Sequence, residues 1–442
     1  MSSSRASSLQ KLVMRGAVVT AAGYGTGQLI RLGRSLILTR LLFPEAFGLM
    51  TLVWALLYGL AMFSDTGAQA TIVRDKRGDD PEFLNTAWTL QVLRGAVLWI
   101  AACIAAYPVA TLYGQPQLAE LIPVATLTAL LDGFRSTAIY TAQRHLQYDR
   151  VVWLDVGNQL LGLVVTVVWA LLDPSVWALV GGALAGHCFH VAASHLFLAG
   201  TPNRFRWDRE SLKTLIGFGK WIYFSSVFHF LAVQGDRLML GRFLDLAHLG
   251  IYSIAVMLVE AVLSLASRVI NQVLFSAYGK VAQDEADRLR HVYHRARLAI
   301  DAFLILPIGA IMVLGSWIVS VLYDARYHEA GWMFQILCIR LLMVPTVANS
   351  ESLLVAMGHP QYGFGRSVCR AVWIVTAIPI GWLLGGVEGV VWAVALSELP
   401  ALALVWPGLA RHKMLSIAME LRSVLAAALG ALIGFGVLRL LS

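Results

Sequence analysis

The chain has 442 residues, of which 58% are hydrophobic and only 14% are charged, and its formal net charge is +8. A soluble domain carries about a quarter charged residues, so this composition excludes a string of soluble domains and favours a polytopic membrane protein. Apolar runs of about 20 residues, the length that crosses a bilayer, recur along the sequence. The four cysteines are scattered without a CxxC pair, which argues against disulfides and a thiolate metal site.

Thirteen membrane spans are predicted, which implies an all-α fold. Residues 1–15 precede the first span and lack the apolar core and cleavage site of a secretory signal, so we expect a cytoplasmic tail there. The predicted spans are 16–39, 47–72, 84–110, 119–141, 151–172, 175–199, 214–240, 249–278, 297–322, 331–357, 365–385, 388–408 and 423–441.

Basic residues in the connectors are distributed unevenly. Nearly all of them, Arg366 and Arg370 included, fall on the side of the N-terminus if the spans alternate in direction. The positive-inside rule therefore predicts a cytoplasmic N-terminus, and it accounts for the net charge without nucleic acid. The opposite side holds only Arg40, Arg242, Arg326 and Arg439.

The connectors are short. The longest, 279–296, has the pattern of an amphipathic helix at the inner membrane interface. This leaves no room for a soluble catalytic domain, and the sequence contains no GxxxxGK[ST] motif for ATP. We therefore predict that the chain is not an enzyme and needs no cofactor.

An internal repeat relates the two halves of the chain. The stretch 35-SLILTRLLFPEAFGLM-50 aligns without a gap on 237-RLMLGRFLDLAHLGIY-252, with a shift of 202 residues. The same shift places Gly33 on Gly235 and Arg40 on Arg242. Because an even number of spans separates the copies, the halves point the same way, an arrangement found in carriers with a site between the halves.

The predicted organisation is thus two parallel-related six-helix bundles and one extra C-terminal span. We expect an N-terminal half at 1–200, a cytoplasmic linker at 201–213, a C-terminal half at 214–409, and an amphipathic segment with the extra span at 410–442.

Four segments resemble a known transporter family. They are 36-LILTRLLFPEAFGLMTL-52, 59-GLAMFSDTGAQATIVRD-75, 136-STAIYTAQRHLQYDR-150 and 236-DRLMLGRFLDLAHLGIYSIA-255. In these segments the chain is similar to the polysaccharide-transport branch of the MOP exporter superfamily, whose relatives are lipid II flippases and MATE antiporters. Members commonly have twelve or fourteen spans, so a thirteenth span departs from the pattern.

The resemblance implies a V-shaped central cavity and alternating access. It also implies transfer of an undecaprenyl-diphosphate-linked oligosaccharide from the cytoplasmic to the periplasmic leaflet of a bacterial inner membrane, with ion coupling and without ATP. The expected partners are this lipid-linked substrate, membrane lipids, and a polymerase and a chain-length regulator of the same pathway.

Charged residues inside spans are costly, so each is a candidate site residue. Arg31 and Arg34 are three residues apart on span 1 and share one helix face. Guanidinium groups match phosphate oxygens in a bidentate way, which predicts a diphosphate contact. The alternatives are that these arginines pair with carboxylates of neighbouring helices, or extend outward to the membrane surface.

Span 7 is the repeat equivalent of span 1. Arg34 falls on Asp236 under the repeat, so the two could meet as an outer gate, unless Asp236 neutralises the adjacent Arg237. Lys220 of span 7 is expected to add a cation to the cavity.

Spans 2, 3, 4 and 8 also carry charges. Asp65 and Arg268 fall at neighbouring positions under the repeat and could form an inner ion pair; alternatively, Arg268 binds substrate and Asp65 caps a turn. Arg94 and Asp132 are expected to form a structural ion pair that leaves Arg135 free for the cavity. The carboxylates proposed for binding a coupling proton or cation are Asp65 and Glu260.

His187 and His190 of span 6 also share a face, but no carboxylate accompanies them in the sequence. We expect packed or interface histidines and no metal site.

Two other functions remain as alternatives. A MATE-like small-molecule antiporter would have a cavity dominated by carboxylates, whereas arginines at least match carboxylates in these spans. A membrane-embedded polysaccharide polymerase would require a long outer loop or an acidic cluster near an interface, and neither is present in the sequence.

Overall fold

The computed structural model describes residues 2–63, 68–217, 220–268, 270, 274–281 and 286–441, and the regular structure among them is helical. Contacts divide the chain into two compact units, Met1–Val227 (unit 1) and Phe228–Ser442 (unit 2). Within the described residues, nine helical segments are long and apolar enough to cross a membrane.

Unit 1 contains nine helices and the start of a tenth, which crosses the boundary between the units. They are α1 (Ser2–Leu41), α2 (Pro44–Phe63), α3 (Ala68–Arg74), α4 (Pro81–Tyr113), α5 (Leu118–Gly133), α6 (Ala138–Arg144), α7 (Tyr148–Leu172), α8 (Val176–Leu196), α9 (Arg209–Gly217) and α10 (Lys220–Phe243). The pairs α4–α5 and α7–α8 make the most extensive contacts in this unit.

Unit 2 continues with eight helices. They are α11 (Leu246–Arg268), α12 (Phe275–Val281), α13 (Ala286–Ile300), α14 (Leu306–Leu322), α15 (Ala330–Ala356), α16 (Gln361–Ala395), α17 (Leu399–Arg411) and α18 (Ile417–Leu441). A π-helical turn, Asp301–Ile305, joins α13 to α14. The amphipathic helix predicted at 279–296 therefore runs, in its described part, directly into the following span.

The helix ends reproduce the sequence repeat. The break between α1 and α2 lies between Leu41 and Pro44, and the break between α10 and α11 lies between Phe243 and Leu246. The predicted shift of 202 residues places Leu41 on Phe243 and Pro44 on Leu246. The same backbone bond ends both first helices, because the N–H of Leu42 donates to Leu38 at 2.8 Å and that of Leu244 to Leu240 at 2.7 Å.

Span 4 was predicted as one continuous helix at 119–141, and this is wrong. Helix α5 ends at Gly133 and α6 begins only at Ala138. The intervening turn is held by other segments: the Ser136 N–H donates to Ser194 Oγ at 3.0 Å, and Ser136 Oγ donates to Asn203 Oδ1 at 2.9 Å. These side-chain bonds replace helical ones and fix the end of α5.

Two helix breaks matter for the charges of unit 2, one inside α16 and one after its end. Gly385 and Gly386 leave the helical conformation, with φ of −153° and 55°. The segment after them folds back along the first part, so that Trp373 Nε1 donates to the Ala393 carbonyl at 2.8 Å. This break agrees with the predicted boundary between the spans 365–385 and 388–408. A second break, between α16 and α17, includes Glu398.

Helix α18 packs on α14 through glycines. A Cβ atom on Gly430 would lie 2.0 Å from the carbonyl oxygen of Leu306, and one on Gly434 would lie 2.6 Å from that of Ala310. The two backbones therefore touch, as small residues allow in membrane helix pairs. An ion pair at 2.8 Å between Arg422 and Asp301 joins the same two chain segments.

Candidate functional site

The helix face that carries the two predicted phosphate ligands begins with glycines. Gly23 and Gly27 bring α1 against α7, because a Cβ atom would lie 2.3 Å from Val152 at the first position and 3.1 Å from Gln159 at the second. Arg31 and Arg34 follow one and two turns later on the same stripe of the helix. Along this face of α1, glycines that pack closely against α7 are thus followed by two arginines.

Neither arginine has a partner within the part of the chain that the structure describes. Arg31 is exposed, and Arg34 is partly buried, with its Nη2 atom buried and without a hydrogen bond. No ion pair or hydrogen bond of either side chain occurs among the described residues. The sequence predicts that this part of α1 crosses the membrane, where an unpaired cation is unfavourable. The pair is therefore the strongest candidate for a ligand contact in unit 1.

The ion pair predicted between Arg94 and Asp132 is wrong. Arg94 Nη2 donates instead to the carbonyl oxygen of Ala61 at 2.8 Å. Asp132 has two other partners on one oxygen: His187 Nδ1 at 2.7 Å and Arg135 Nε at 3.3 Å. Arg135, which was predicted to remain free for the cavity, is therefore engaged by Asp132.

The two histidines of span 6, which were predicted to be packed or interface residues, have carboxylate partners from other spans. His187 contacts Asp132, and His190 Nε2 lies 3.3 Å from Oδ1 of Asp155. The partners come from span 4 and span 5, which are distant in sequence, so the pattern of span 6 alone could not reveal them.

The span 7 charges of unit 2 are compensated. Asp236 is buried and accepts a hydrogen bond from Tyr252 Oη at 2.9 Å. Arg237 pairs with Glu260 of α11, and its Nη1 donates to Gln234 at 2.8 Å. Glu260 makes the direct ion pair with Arg237, and the charge of the adjacent Asp236 also acts on Arg237, so both carboxylates compensate it.

A larger ionic network (the Glu398 network) joins α15, α16 and the break before α17. Glu398 is fully buried, and its Oε2 lies 3.1 Å from Arg366. Arg370 and Arg340 approach its other oxygen to 3.8 and 3.9 Å. Arg366 also bonds Glu351 at 2.9 Å through Nη1.

Most of this network was not predicted from the sequence. Arg366 and Arg370 were predicted in a connector, but both lie in α16, which begins at Gln361, and Arg370 is buried in it. Their cytoplasmic location stays a prediction. Glu398 was not singled out, although it lies inside a predicted span, two residues before Pro400. The signal available in the sequence was that Glu398 is a carboxylate well inside a predicted span.

Three predicted site residues cannot be placed. Asp65 lies outside the described residues. The side chains of Lys220 and Arg268 also lie outside them, although the backbone of Lys220 begins α10 and that of Arg268 ends α11. Their roles remain predictions.

A second cluster lies in the connector before α4. Arg144 Nη1 donates to the carbonyl oxygens of Ile72, Val73 and Asp75 at 2.6–3.0 Å and so caps the end of α3. Asp79 bonds Arg144 at 3.0 Å and His145 at 2.9 Å. Slight burial raises the pKa of Asp79, but the hydrogen bond from His145 and the charge of Arg144 outweigh it and hold that pKa below its usual value.

Comparisons with known proteins agree with this architecture. The model of the family described as "Polysaccharide biosynthesis protein" matches residues 37–331. The chain is 23% identical over 359 residues to the lipopolysaccharide biosynthesis protein WzxC of Escherichia coli (strain K12), covering 80% of this chain and 72% of that protein. It is 22% identical over 377 residues to the succinoglycan biosynthesis transport protein ExoT of Rhizobium meliloti (strain 1021), covering 84% and 74%.

Solved structures show the same fold at low identity. The lipid II flippase MurJ, in an inward closed conformation, superposes with a TM-score of 0.69 at 10% identity, covering 96% of this chain and 98% of that one. An inward-facing multidrug resistance MATE family transporter of the MOP superfamily gives a TM-score of 0.68 at 15% identity, covering 89% and 95%. The predicted fold class, an all-α polytopic membrane protein of the MOP type, is confirmed.

Proposed function

The chain belongs to the polysaccharide biosynthesis protein family, and from this premise we propose that it flips a polyprenyl-diphosphate-linked oligosaccharide across the bacterial inner membrane. The substrate is a repeat unit of a surface polysaccharide or exopolysaccharide, moved by alternating access from the cytoplasmic to the periplasmic leaflet. The chain transports this lipid without changing it covalently, so it acts as a carrier and not as an enzyme.

The observation that carries this proposal is the unpaired cationic face of α1. Arg31 and Arg34 offer two guanidinium forks about 5–6 Å apart at the level of their Cβ atoms, the spacing of residues three apart on a helix. A diphosphate presents an ionised oxygen on each of two neighbouring phosphates. Each guanidinium can bind one phosphate through parallel N–H bonds, and the ligand supplies the negative charge that the described protein partners lack.

The other charges described in the predicted spans differ from these two arginines because they have carboxylate partners, which supports the choice of Arg31 and Arg34. In unit 2, Arg237, Arg340, Arg366 and Arg370 each face a carboxylate, and in unit 1 Arg135 faces Asp132. We assign these groups to the framework. The outer gate between Arg34 and Asp236 stays part of the proposal: Asp236 is held by Tyr252 and would present its charge when the access state changes.

The relatives support the transport reaction. ExoT is named as a transport protein of succinoglycan biosynthesis, and MurJ is a lipid II flippase. The fold alone would suit a MATE-like antiporter equally well, but the unpaired groups on α1 are cations, which favours an anionic headgroup. We further propose a cytoplasmic N-terminus, ion coupling, and cooperation with a polymerase and a chain-length regulator.

The test is flipping by purified protein in liposomes. The probe is undecaprenyl diphosphate that carries a fluorescent GlcNAc–GlcNAc disaccharide, and the signal is cleavage of its glycosidic bond by an external glycosidase. Arg31→Gln or Arg34→Gln removes a charged hydrogen-bonding partner worth about 1.5–3 kcal/mol. We therefore expect flipping at limiting substrate to fall about 10-fold to 150-fold.

Arg242→Gln is the matched control, because Arg242 is an exposed arginine in the last turn of α10 and should be dispensable. Thermal unfolding serves as the second readout. Since Arg31 and Arg34 lose no protein partner on substitution, the melting temperature should not fall. Unchanged flipping in both variants, or no flipping by the wild-type protein, would contradict the proposal.

A further inference from the structure

Unit 1 contains a groove at one end of the helix pair α7–α8 that the proposed diphosphate contact does not use (the α7–α8 groove). It is lined by Arg150, Trp153 and Leu154 at the start of α7 and by residues between Phe189 and Ala199 at the end of α8. Its volume is about 620 Å³, and sites for small ligands and cofactors occupy about 300–1,000 Å³. The groove is therefore large enough to hold part of a ligand.

The floor of the groove is part of the packed interior of unit 1. Leu154 and Leu198 are buried members of an apolar cluster, and Phe189 packs against that cluster. The Phe189 ring is also held by α7, because a Cβ atom on Gly157 would lie 2.6 Å from its Cε1 atom. The shape of the groove thus rests on packed side chains and is formed before any ligand arrives.

The wall of the groove combines exposed apolar side chains with one cation. Trp153, Leu196 and Phe197 are 75%, 78% and 69% exposed. Arg150 is exposed as well, and its side chain makes no ion pair or hydrogen bond with any residue that the structure describes. Among the described lining residues, Arg150 is the charged one. The groove therefore offers an apolar surface with a free guanidinium at its edge.

The position of the groove favours a lipid over a water-soluble ligand. Helices α7 and α8 are both long and apolar enough to cross a membrane, and they pack along each other. The start of α7 and the end of α8 therefore meet at one membrane surface, where tryptophan is enriched. The distribution of basic residues predicts that this surface is cytoplasmic, and basic sites between transmembrane helices on that side bind anionic lipid headgroups.

We propose that the α7–α8 groove binds one anionic phospholipid of the inner leaflet, with its phosphate at Arg150 and one acyl chain between Trp153 and Phe197. The guanidinium binds phosphate oxygens through charge-assisted hydrogen bonds, and the chain covers apolar side chains that the protein leaves exposed. A lipid that binds the folded protein stabilises it by mass action. The site shares no residue with the cationic face of α1 and does not depend on the proposed function.

The site is located by photo-crosslinking in detergent. The probe is phosphatidylglycerol with a diazirine in one acyl chain, and the labelled peptides of the full-length protein are identified by mass spectrometry. Crosslinks are expected within 150–154 and 189–199. Unlabelled phosphatidylglycerol should displace the probe there at about fivefold lower concentration than phosphatidylethanolamine with the same chains, the effect of one arginine near an anionic headgroup.

Two variants test the headgroup contact and the chain contact separately. Arg150→Gln should remove the preference for phosphatidylglycerol, and Arg411→Gln, an exposed arginine in the last turn of α17, should keep it. Ala199→Trp fills the groove without changing its charge and should abolish the crosslinks. Ala192→Trp, at an exposed alanine of α8 that does not line the groove, should leave them unchanged.

Three outcomes would overturn the proposal. The first is the absence of crosslinks in both segments, or crosslinks that survive in Ala199→Trp. The second is equal displacement by the two phospholipids in the wild-type protein, which would mean that the groove accepts acyl chains without recognising the headgroup. The third is displacement by undecaprenyl phosphate at lower concentration than by phosphatidylglycerol, which would assign the groove to a polyprenyl lipid.

Discussion

Removing the charge of Glu398 should strongly destabilise unit 2. Glu398→Gln keeps the shape of the side chain but leaves Arg340, Arg366 and Arg370 with Glu351 as the remaining carboxylate of the network. At an effective dielectric constant of about 20, each contact at 3–4 Å contributes roughly 4–5 kcal/mol of Coulomb attraction. Desolvation offsets much of this, and losing one member of a buried ion pair costs about 3–5 kcal/mol net.

The measurement is thermal unfolding in detergent. A shift of 1 kcal/mol changes the melting temperature of a unit of this size by about 2–4 °C, so we expect a decrease of roughly 6–20 °C. A thiol-reactive fluorogenic dye can report it through Cys338, which is buried in α15 close to Arg340. The background protein then carries serine in place of Cys103, Cys188 and Cys369.

Glu388→Gln is the matched control, because Glu388 is an exposed carboxylate on the same helix as Arg366 and Arg370. It should melt with the background protein. If Glu398→Gln also melts within about 2 °C of the background, less than 1 kcal/mol has been lost, and the reasoning that Glu398 holds the three arginines together is refuted.

Two further predictions concern packing and pH. Gly430→Ala places a Cβ atom 2.0 Å from the Leu306 carbonyl oxygen. Helix α18 must then shift, and the free energy of unfolding should fall by about 1–3 kcal/mol. Gly436→Ala is the control, because no atom lies within 4 Å of its Cβ position, and equal melting temperatures of the two variants would contradict the close contact of α14 and α18. Arg144→Lys should weaken the cap of α3 and lower the melting temperature at neutral pH. The pKa of Asp79 is lowered in the folded protein, so the stability that Asp79 contributes is present above its unfolded pKa of about 3.9 and is lost as the pH falls below that value. The difference in melting temperature between wild type and Arg144→Lys should therefore shrink below about pH 4. A difference that stays constant with pH would contradict this prediction.

Much of the fold could be predicted because it depends on periodicity and composition. The shift of 202 residues located both helix breaks correctly, since Arg40 and Arg242 lie beside the same turn in the two halves. Helix ends in membranes are marked by charge, proline and glycine in the sequence. The interruption after Gly133 was missed because the turn that follows it is held by hydrogen bonds that Ser136 donates to Ser194 and Asn203, both far along the chain.

The charged sites were harder to predict because pairing depends on helix rotation. The sequence placed Arg94 and Asp132 at similar depth, but depth alone did not reveal that Asp132 faces His187. Counting basic residues by connector also placed Arg370 in a connector, although α16 starts earlier and buries it. Arg31 and Arg34 were predicted together because two cations on one face of a predicted span are unusual whatever the neighbouring helices contribute.

The central claim is that the cationic face of α1 binds the diphosphate of the substrate, and the most direct test is the affinity of detergent-solubilised protein for undecaprenyl diphosphate. The double variant Arg31→Gln/Arg34→Gln should bind at least about 100-fold more weakly than the wild type, since it loses two charged contacts of about 1.5–3 kcal/mol each. Undecaprenyl monophosphate, which lacks the second phosphate, should lose less affinity in the same variant. Equal affinity of the wild-type and double-variant proteins for the diphosphate would contradict the claim.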